Sequence, residues 1–131
     1  MIIVLDVSAA IEILFQREKA RTFRKIYEQG TWIIAPELYI FEISNVLWKY
    51  QKAGLITEKD CIQFVQDGID MVDDFFEAKE FWKESLAEGI KNQHSIYDMF
   101  YLILARRNNG SLITNDNALE KICKKLGIFC N

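Results

Sequence analysis

A chain of 131 residues, half of them hydrophobic and 13% aromatic, is long enough to close around one core, so a single domain over 1–131 is expected. Its net charge of −3 argues against broad, nonspecific nucleic-acid binding, so any action on RNA has to rest on local basic patches. Glu12, Glu42 and Asp98 interrupt every apolar run before it reaches the roughly 18 uncharged residues of a membrane span, and no basic leader precedes Asp6; a cytoplasmic protein without membrane association is expected.

Residues 1–5 form a continuous apolar run ending at Asp6, the pattern of a strand buried on both faces. Ser8, a good N-cap, predicts a helix through Ala9, Ala10, Ile11, Ile13 and Leu14. A second helical stretch over 18–29 carries Phe23, Ile26 and Tyr27 on one side, with Gly30 placed to end it, and 31–35 reads as the second strand. Pro36 suits the first turn of a helix that runs through Leu38, Phe41, Val46, Leu47 and Tyr50 until Gly54 stops it. Thr57 with Asp60 three residues on predicts a capped helix towards Asp67. A short strand over 69–72 and an amphipathic helix over 75–90 follow. Ser95 caps a helix over 97–107, Asn108, Asn109 and Gly110 turn the chain, 111–114 is a strand, 117–126 a helix, and 128–130 a last short strand. Alternating strands and helices predict a three-layer α/β/α sandwich with a mainly parallel central sheet. Ligands in such sheets sit beyond the C-terminal strand ends, where Asp6 and Asp116 lie.

Two further acids stand out by their surroundings. Glu42 is the only charge between Leu38 and Trp48, and Asp98 the only one between Ser95 and Ala105. A carboxylate in so apolar a helix costs several kcal/mol, on the order of 1–5 by common estimates, unless it is protonated, paired or bound to metal. Each acid alone also has a structural reading, as a helix cap, a loop residue or the partner of a lysine. Jointly, two acids at strand ends and two inside apolar helices can converge on one crevice, where their mutual repulsion calls for a cation. An all-oxygen ligand set suits Mg²⁺ or Mn²⁺ rather than zinc, and such a site can activate water and orient a phosphate for phosphodiester cleavage without a histidine. The three cysteines, Cys61, Cys123 and Cys130, lack C-x-x-C spacing and His94 is the only histidine, which argues against structural zinc and a disulfide framework.

Asp6-Val7-Ser8 ending the first strand, Glu42-x-x-Asn45 on a helix, Tyr97-Asp98 opening a helix and Thr114-Asn115-Asp116 after a strand resemble the successive acidic motifs of PIN domains. The resemblance covers essentially the whole chain, whose length is similar to the VapC toxins of toxin–antitoxin pairs. It implies a metal-dependent endoribonuclease and a cognate antitoxin that blocks its site. Carried over by position, Asp6, Glu42, Asp98 and Asp116 are the catalytic, metal-binding acids, while Ser8, Asn45 and Thr114 are polar neighbours that orient the acids or a water. Ser8 as an N-cap and Asn45 as a helix-face residue also have purely structural readings. A general RNA-processing PIN nuclease and a PIN fold kept as a binding module stay open beside the toxin.

Other classes fit less well. A haloacid dehalogenase phosphatase needs a second Asp where Ser8 stands, and a receiver domain needs adjacent acids after its first strand. Two basic groups are candidates for RNA contact: Arg17, Lys19, Arg21, Arg24 and Lys25 near the N-terminus, and Arg106, Arg107, Lys121, Lys124 and Lys125 near the last strand. A solvated helix face is the structural alternative for each. Trp48 and Tyr50, and Phe75, Phe76, Phe81 and Trp82, exceed what one small core needs, and with the VapC resemblance they predict a homodimer.

Overall fold

The computed structural model describes residues 1–131. Four strands, β1 (Ile2–Leu5), β2 (Trp32–Pro36), β3 (Asp74–Phe76) and β4 (Ser111–Ile113), form one sheet in the order β3-β2-β1-β4, with every pairing parallel. Parallel neighbours need crossovers, and six helices supply them, α1 (Val7–Leu14), α2 (Ala20–Tyr27), α3 (Leu38–Lys52), α4 (Glu58–Asp70), α5 (Trp82–Asn92) and α6 (Ile96–Arg107), with α7 (Asn117–Lys125) following β4. Ile3, Val4 and Leu5 of β1 are all fully buried, as a strand covered on both faces must be. The architecture is the expected α/β/α sandwich, with a sheet that is wholly parallel. α6 crosses β1, β2 and β4, and its apolar residues Met99, Leu102, Ile103 and Ala105 are completely enclosed.

The chain moves outward from β1 through β2 to β3, then returns to lay β4 on the other side of β1. The crossovers leaving β1 and β4 therefore diverge, opening a crevice between the C-terminal ends of these two strands. Asp6 follows β1 directly, and Thr114, Asn115 and Asp116 follow β4.

Several boundaries differ from the sequence-based expectation. Asp6, not Ser8, occupies the N-cap of α1, and its side chain makes no capping bond because it is engaged across the sheet. Pro36 closes β2 opposite Phe76 instead of opening α3, whose N-cap is Glu37. The 69–72 strand is absent: α4 runs on to Asp70, supported by a Gln66–Asp70 side-chain hydrogen bond of 2.8 Å one turn apart. Phe75 and Phe76 belong to β3, not to a helix over 75–90. The Phe75 ring meets Tyr39 of α3 and the Phe76 ring meets Trp32 of the neighbouring β2, each at 5.9 Å between centroids, and the helix starts only at Trp82. Ser95 stands at the N-cap of α6 without a side-chain bond, and the last expected strand is reduced to one bridge between Leu112 and Cys130. Thr57 caps α4 as read, accepting from the Asp60 N–H at 3.0 Å.

Gly54 stops α3 in the left-handed conformation that glycine adopts without strain, at φ 77°. Gly30 has a different reason to be glycine. α2 ends earlier, at Tyr27, and a Cβ on Gly30 would run into Ile33 Cδ1 and Ile3 Cγ1 where the turn passes beneath β1 and β2. Gly30→Ala is therefore expected to destabilise the fold by about 1–3 kcal/mol through overpacking, read as a lower urea midpoint at unchanged slope.

Candidate active site

Asp6 is only 7% exposed, and two hydroxyls converge on one of its oxygens. Ser8 Oγ donates to Asp6 Oδ2 at 2.8 Å and Thr114 Oγ1 donates to the same atom at 2.6 Å. Each hydroxyl has one proton to give, so each is left as an acceptor. Both are used: the Asn115 N–H donates to Ser8 Oγ at 2.8 Å, and the Asp116 N–H donates to Thr114 Oγ1 at 3.0 Å. The loop after β4 is thus tied through two hydroxyls to the carboxylate that ends β1. Burial pushes the Asp6 carboxyl above the usual range, the Thr114 and Ser8 donors pull it back, and the nearby Asp98 pushes it up again.

α3 brings Glu42 to the same crevice, where Tyr101 of α6 donates its hydroxyl to Glu42 Oε1 at 2.6 Å. Burial raises Glu42 to about 7, with Tyr101 opposing and Asp6 and Asp98 adding to the rise. Asp98 lies in the first turn of α6, favourable ground for negative charge, and its Oδ2 is 2.7 Å from His94 Nε2. Burial raises this carboxyl too; the His94 hydrogen bond lowers it and Asp116 raises it. Asp116 caps α7 through Oδ1, which accepts from the N–H groups of Ala118 at 2.9 Å and Leu119 at 3.2 Å.

All four predicted acids line one crevice of about 360 Å³ together with Ser8. Thr114 is buried beneath them. Asn45 is the exception: it is exposed on α3, lines no part of the crevice and its side chain makes no hydrogen bond, so the orienting role expected of it has no contact to act through. Four residues outside the predicted set complete the surroundings. His94 fixes Asp98, and its donor atom, one oxygen of Asp98 and one of Asp116 lie within 4.8 Å of one another. Tyr101 fixes Glu42, Glu12 is buried in the crevice wall, and Arg17 stands at its rim. The spacing carried a signal for Tyr101, one turn after Asp98 on the same helix, whereas His94 lies in the loop just before α6.

The donor chemistry fits a hard divalent ion. Asp6 Oδ1, Glu42 Oε2, Asp98 Oδ1 and Asp116 Oδ2 receive no side-chain donor, so each acid keeps one oxygen free. The mutual repulsion linking Asp116 to Asp98, Asp98 to Asp6, and both to Glu42 is what a cation would relieve.

These features define a class: small α/β domains with a parallel sheet that gather carboxylates from two strand ends and two flanking helices. A family model described as PIN domain matches residues 3–125, and the chain belongs to the PIN-domain family. Ribonuclease VapC3 of Pyrobaculum aerophilum is 26% identical over 127 residues, covering 92% of this chain and 94% of the relative. Two crystal structures share the fold. PAE2754 from Pyrobaculum aerophilum superposes with a TM-score of 0.73 at 19% identity, over 98% of this chain and 82% of that one. VapBC2 from Rickettsia felis, bound to a DNA fragment from its promoter, gives 0.70 at 11% identity, over 100% of this chain and 98% of the matched one.

The raised Glu42 pKa carries a pH signature. Between the ordinary carboxylate value of 4.5 and about 7 the folded state holds more protons at Glu42 than the unfolded state. Stability from this group is therefore full below pH 4.5 and declines as pH rises towards 7. With partial exposure discounting the effect to ~1 kcal/mol, Glu42→Gln should raise the Tm of the chelated protein by roughly 4 °C at pH 8. The gain should vanish near pH 4.5 in a calorimetric series.

Proposed function

We propose that this PIN domain is a metal-dependent endoribonuclease that hydrolyses RNA phosphodiester bonds, acting as the toxin of a toxin–antitoxin pair. The observation that carries the reading is the convergence of Asp6, Glu42, Asp98 and Asp116, from four separate elements, into one crevice where each raises another's pKa or has its own raised by it. The names of its relatives support the two halves of the reading: one is called a ribonuclease, and another was crystallised as VapBC2 with promoter DNA. A cognate antitoxin is accordingly the proposed protein partner. No helix is long and apolar enough to cross a membrane, in keeping with a cytoplasmic site of action.

The four acids would hold Mg²⁺, with Mn²⁺ as the alternative. When bound, such an ion offsets the carboxylate charge, orients a phosphate and favours attack by water on phosphorus. The protein's own residues do the positioning. Ser8 and Thr114 lock one edge of Asp6 so that its other oxygen faces the crevice. Tyr101 and His94 do the same for Glu42 and Asp98, and α7 holds Asp116 by its cap.

Cleavage of single-stranded or structured RNA is expected to need Mg²⁺ or Mn²⁺ and to stop with EDTA; undiminished cleavage after rigorous chelation would rule out the metal mechanism. Asp6→Asn or Asp98→Asn should lower cleavage on the order of a hundredfold or more while the far-ultraviolet spectrum stays unchanged. Near wild-type turnover in either variant removes that residue from the chemistry.

A homodimer completes the reading. Phe81 is core, but Phe41 is 71% exposed, Trp48 49% and Trp82 46%, more large apolar surface than a monomer of this size usually presents to water. Sedimentation at micromolar concentration without antitoxin should give twice the chain mass, and one chain mass throughout would assign these side chains to other contacts.

A further inference from the structure

The acidic crevice has an electrostatic problem of its own: its substrate is a polyanion and the chain is net negative. The two basic groups differ in how they could solve it. Arg106 and Arg107 are neutralised by Glu84 and Glu88 at 2.7–3.4 Å, and Lys124 pairs with Glu120 at 2.8 Å. Arg17, Lys19, Arg21, Arg24 and Lys25 form no ion pair at all, and all five are exposed.

Four of these five, Arg17, Arg21, Arg24 and Lys25, line an open groove of about 470 Å³ along the first turns of α2, where Glu18 and Glu28 are the only acids. Arg17 lines both this groove and the acidic crevice, so the two are neighbours that share one side chain. Arg17 is held there. Gln16 turns the chain in the left-handed conformation, the Arg17 N–H donates to the Glu12 carbonyl at 3.0 Å, and Lys19 N–H donates to the buried Glu12 carboxylate at 3.1 Å. The guanidinium lies 5.4 Å from the Phe15 ring centre and 5.3 Å from that of Tyr50, and donates to the Tyr50 hydroxyl at 2.9 Å. One edge of a rigid fork is thereby anchored, and much of its side-chain freedom is already lost before any ligand arrives.

We propose that Arg17, Arg21, Arg24 and Lys25 form a track for the sugar–phosphate backbone of single-stranded RNA on one side of the acidic crevice, with Arg17 gripping the phosphate nearest the cleavage point. The proposal rests on the ribonuclease reading and adds the direction from which the strand enters. Contacts to phosphate position a strand without reading its sequence, so the track sets register and affinity and leaves base choice to other residues.

The test uses a fluorescent single-stranded oligoribonucleotide of mixed sequence, titrated by anisotropy in Mg²⁺ at several KCl concentrations. The protein carries Asp6→Asn so that the probe stays intact. Adding Arg21→Gln, Arg24→Gln and Lys25→Gln should weaken binding roughly tenfold or more at low salt and flatten the slope of log affinity against log salt by about 2, the contribution of three phosphate contacts. Arg21→Gln with Lys25→Gln, which breaks no hydrogen bond, should show about two thirds of that flattening and serves if the triple variant folds poorly. Lys121→Gln with Lys125→Gln should leave affinity and slope unchanged. In the otherwise wild-type enzyme, Arg17→Lys keeps the charge but loses the fork and should lower kcat/KM roughly tenfold. Metal-dependent RNA cleavage by the wild type, combined with an unaltered salt slope in the α2 variants, overturns the track and leaves the ribonuclease reading standing. Wild-type kcat/KM in Arg17→Lys removes the grip assigned to Arg17. A wild-type protein that neither binds nor cleaves RNA overturns both readings.

Discussion

The site depends on one arrangement: a buried carboxylate, Asp6, whose Oδ2 takes the hydroxyl protons of Ser8 and Thr114. Adjacent parallel strands are joined by backbone bonds along their length, but their C-terminal ends diverge into separate crossovers. Here the divergence is bridged by side chains, since the same two hydroxyls accept the N–H groups of Asn115 and Asp116. Removing the Asp6 charge therefore changes the electrostatics of the crevice, whereas removing either hydroxyl would also release the loop that carries Asp116.

The crevice is assembled by pairing each acid with a different kind of restraint. Hydroxyls hold Asp6, a phenol holds Glu42, an imidazole holds Asp98 and backbone amides hold Asp116. All four partners leave one oxygen of their acid unengaged. Directional restraint on one side and repulsion on the other is how a set of carboxylates can be preorganised for a cation without collapsing onto its neighbours.

Much of this was legible in the sequence, and the limits have physical causes. β1 and β4 announced themselves because doubly buried strands are continuous apolar runs, and Asp6 and Asp116 stood out by ending or following them. Glu42 and Asp98 were visible as lone charges on apolar helices. β3 was hidden because Phe75 and Phe76 fit a helical stripe as well as a strand, and only packing against Tyr39 and Trp32 decides between them. Of the two roles the sequence offers Ser8, the cap fails because capping propensity is local, whereas its hydroxyl contacts Asp6 and accepts from Asn115, 107 positions away. Asn45 was assigned by motif spacing alone, and a spacing does not say whether a helix face looks into the crevice. A lone histidine without metal-ligand spacing gives no sign in the sequence that its ring holds Asp98.

At Asp116 the proposed chemistry and the architecture fall on one side chain. The other three acids are held up by partners on other residues, and relieving their charge lightens the strain of the crevice. Asp116 instead supplies the two hydrogen bonds that begin α7, behind which Leu119 and Cys123 are sealed into the core. A lineage drifting towards a silent site would thus meet an uneven landscape. A change at Glu42 relieves a carboxylate that burial disfavours, while a change at Asp116 loosens the terminal helix as well. Inactive descendants of this chain should bear the mark of that asymmetry, with the α7 acid outlasting the function it once shared.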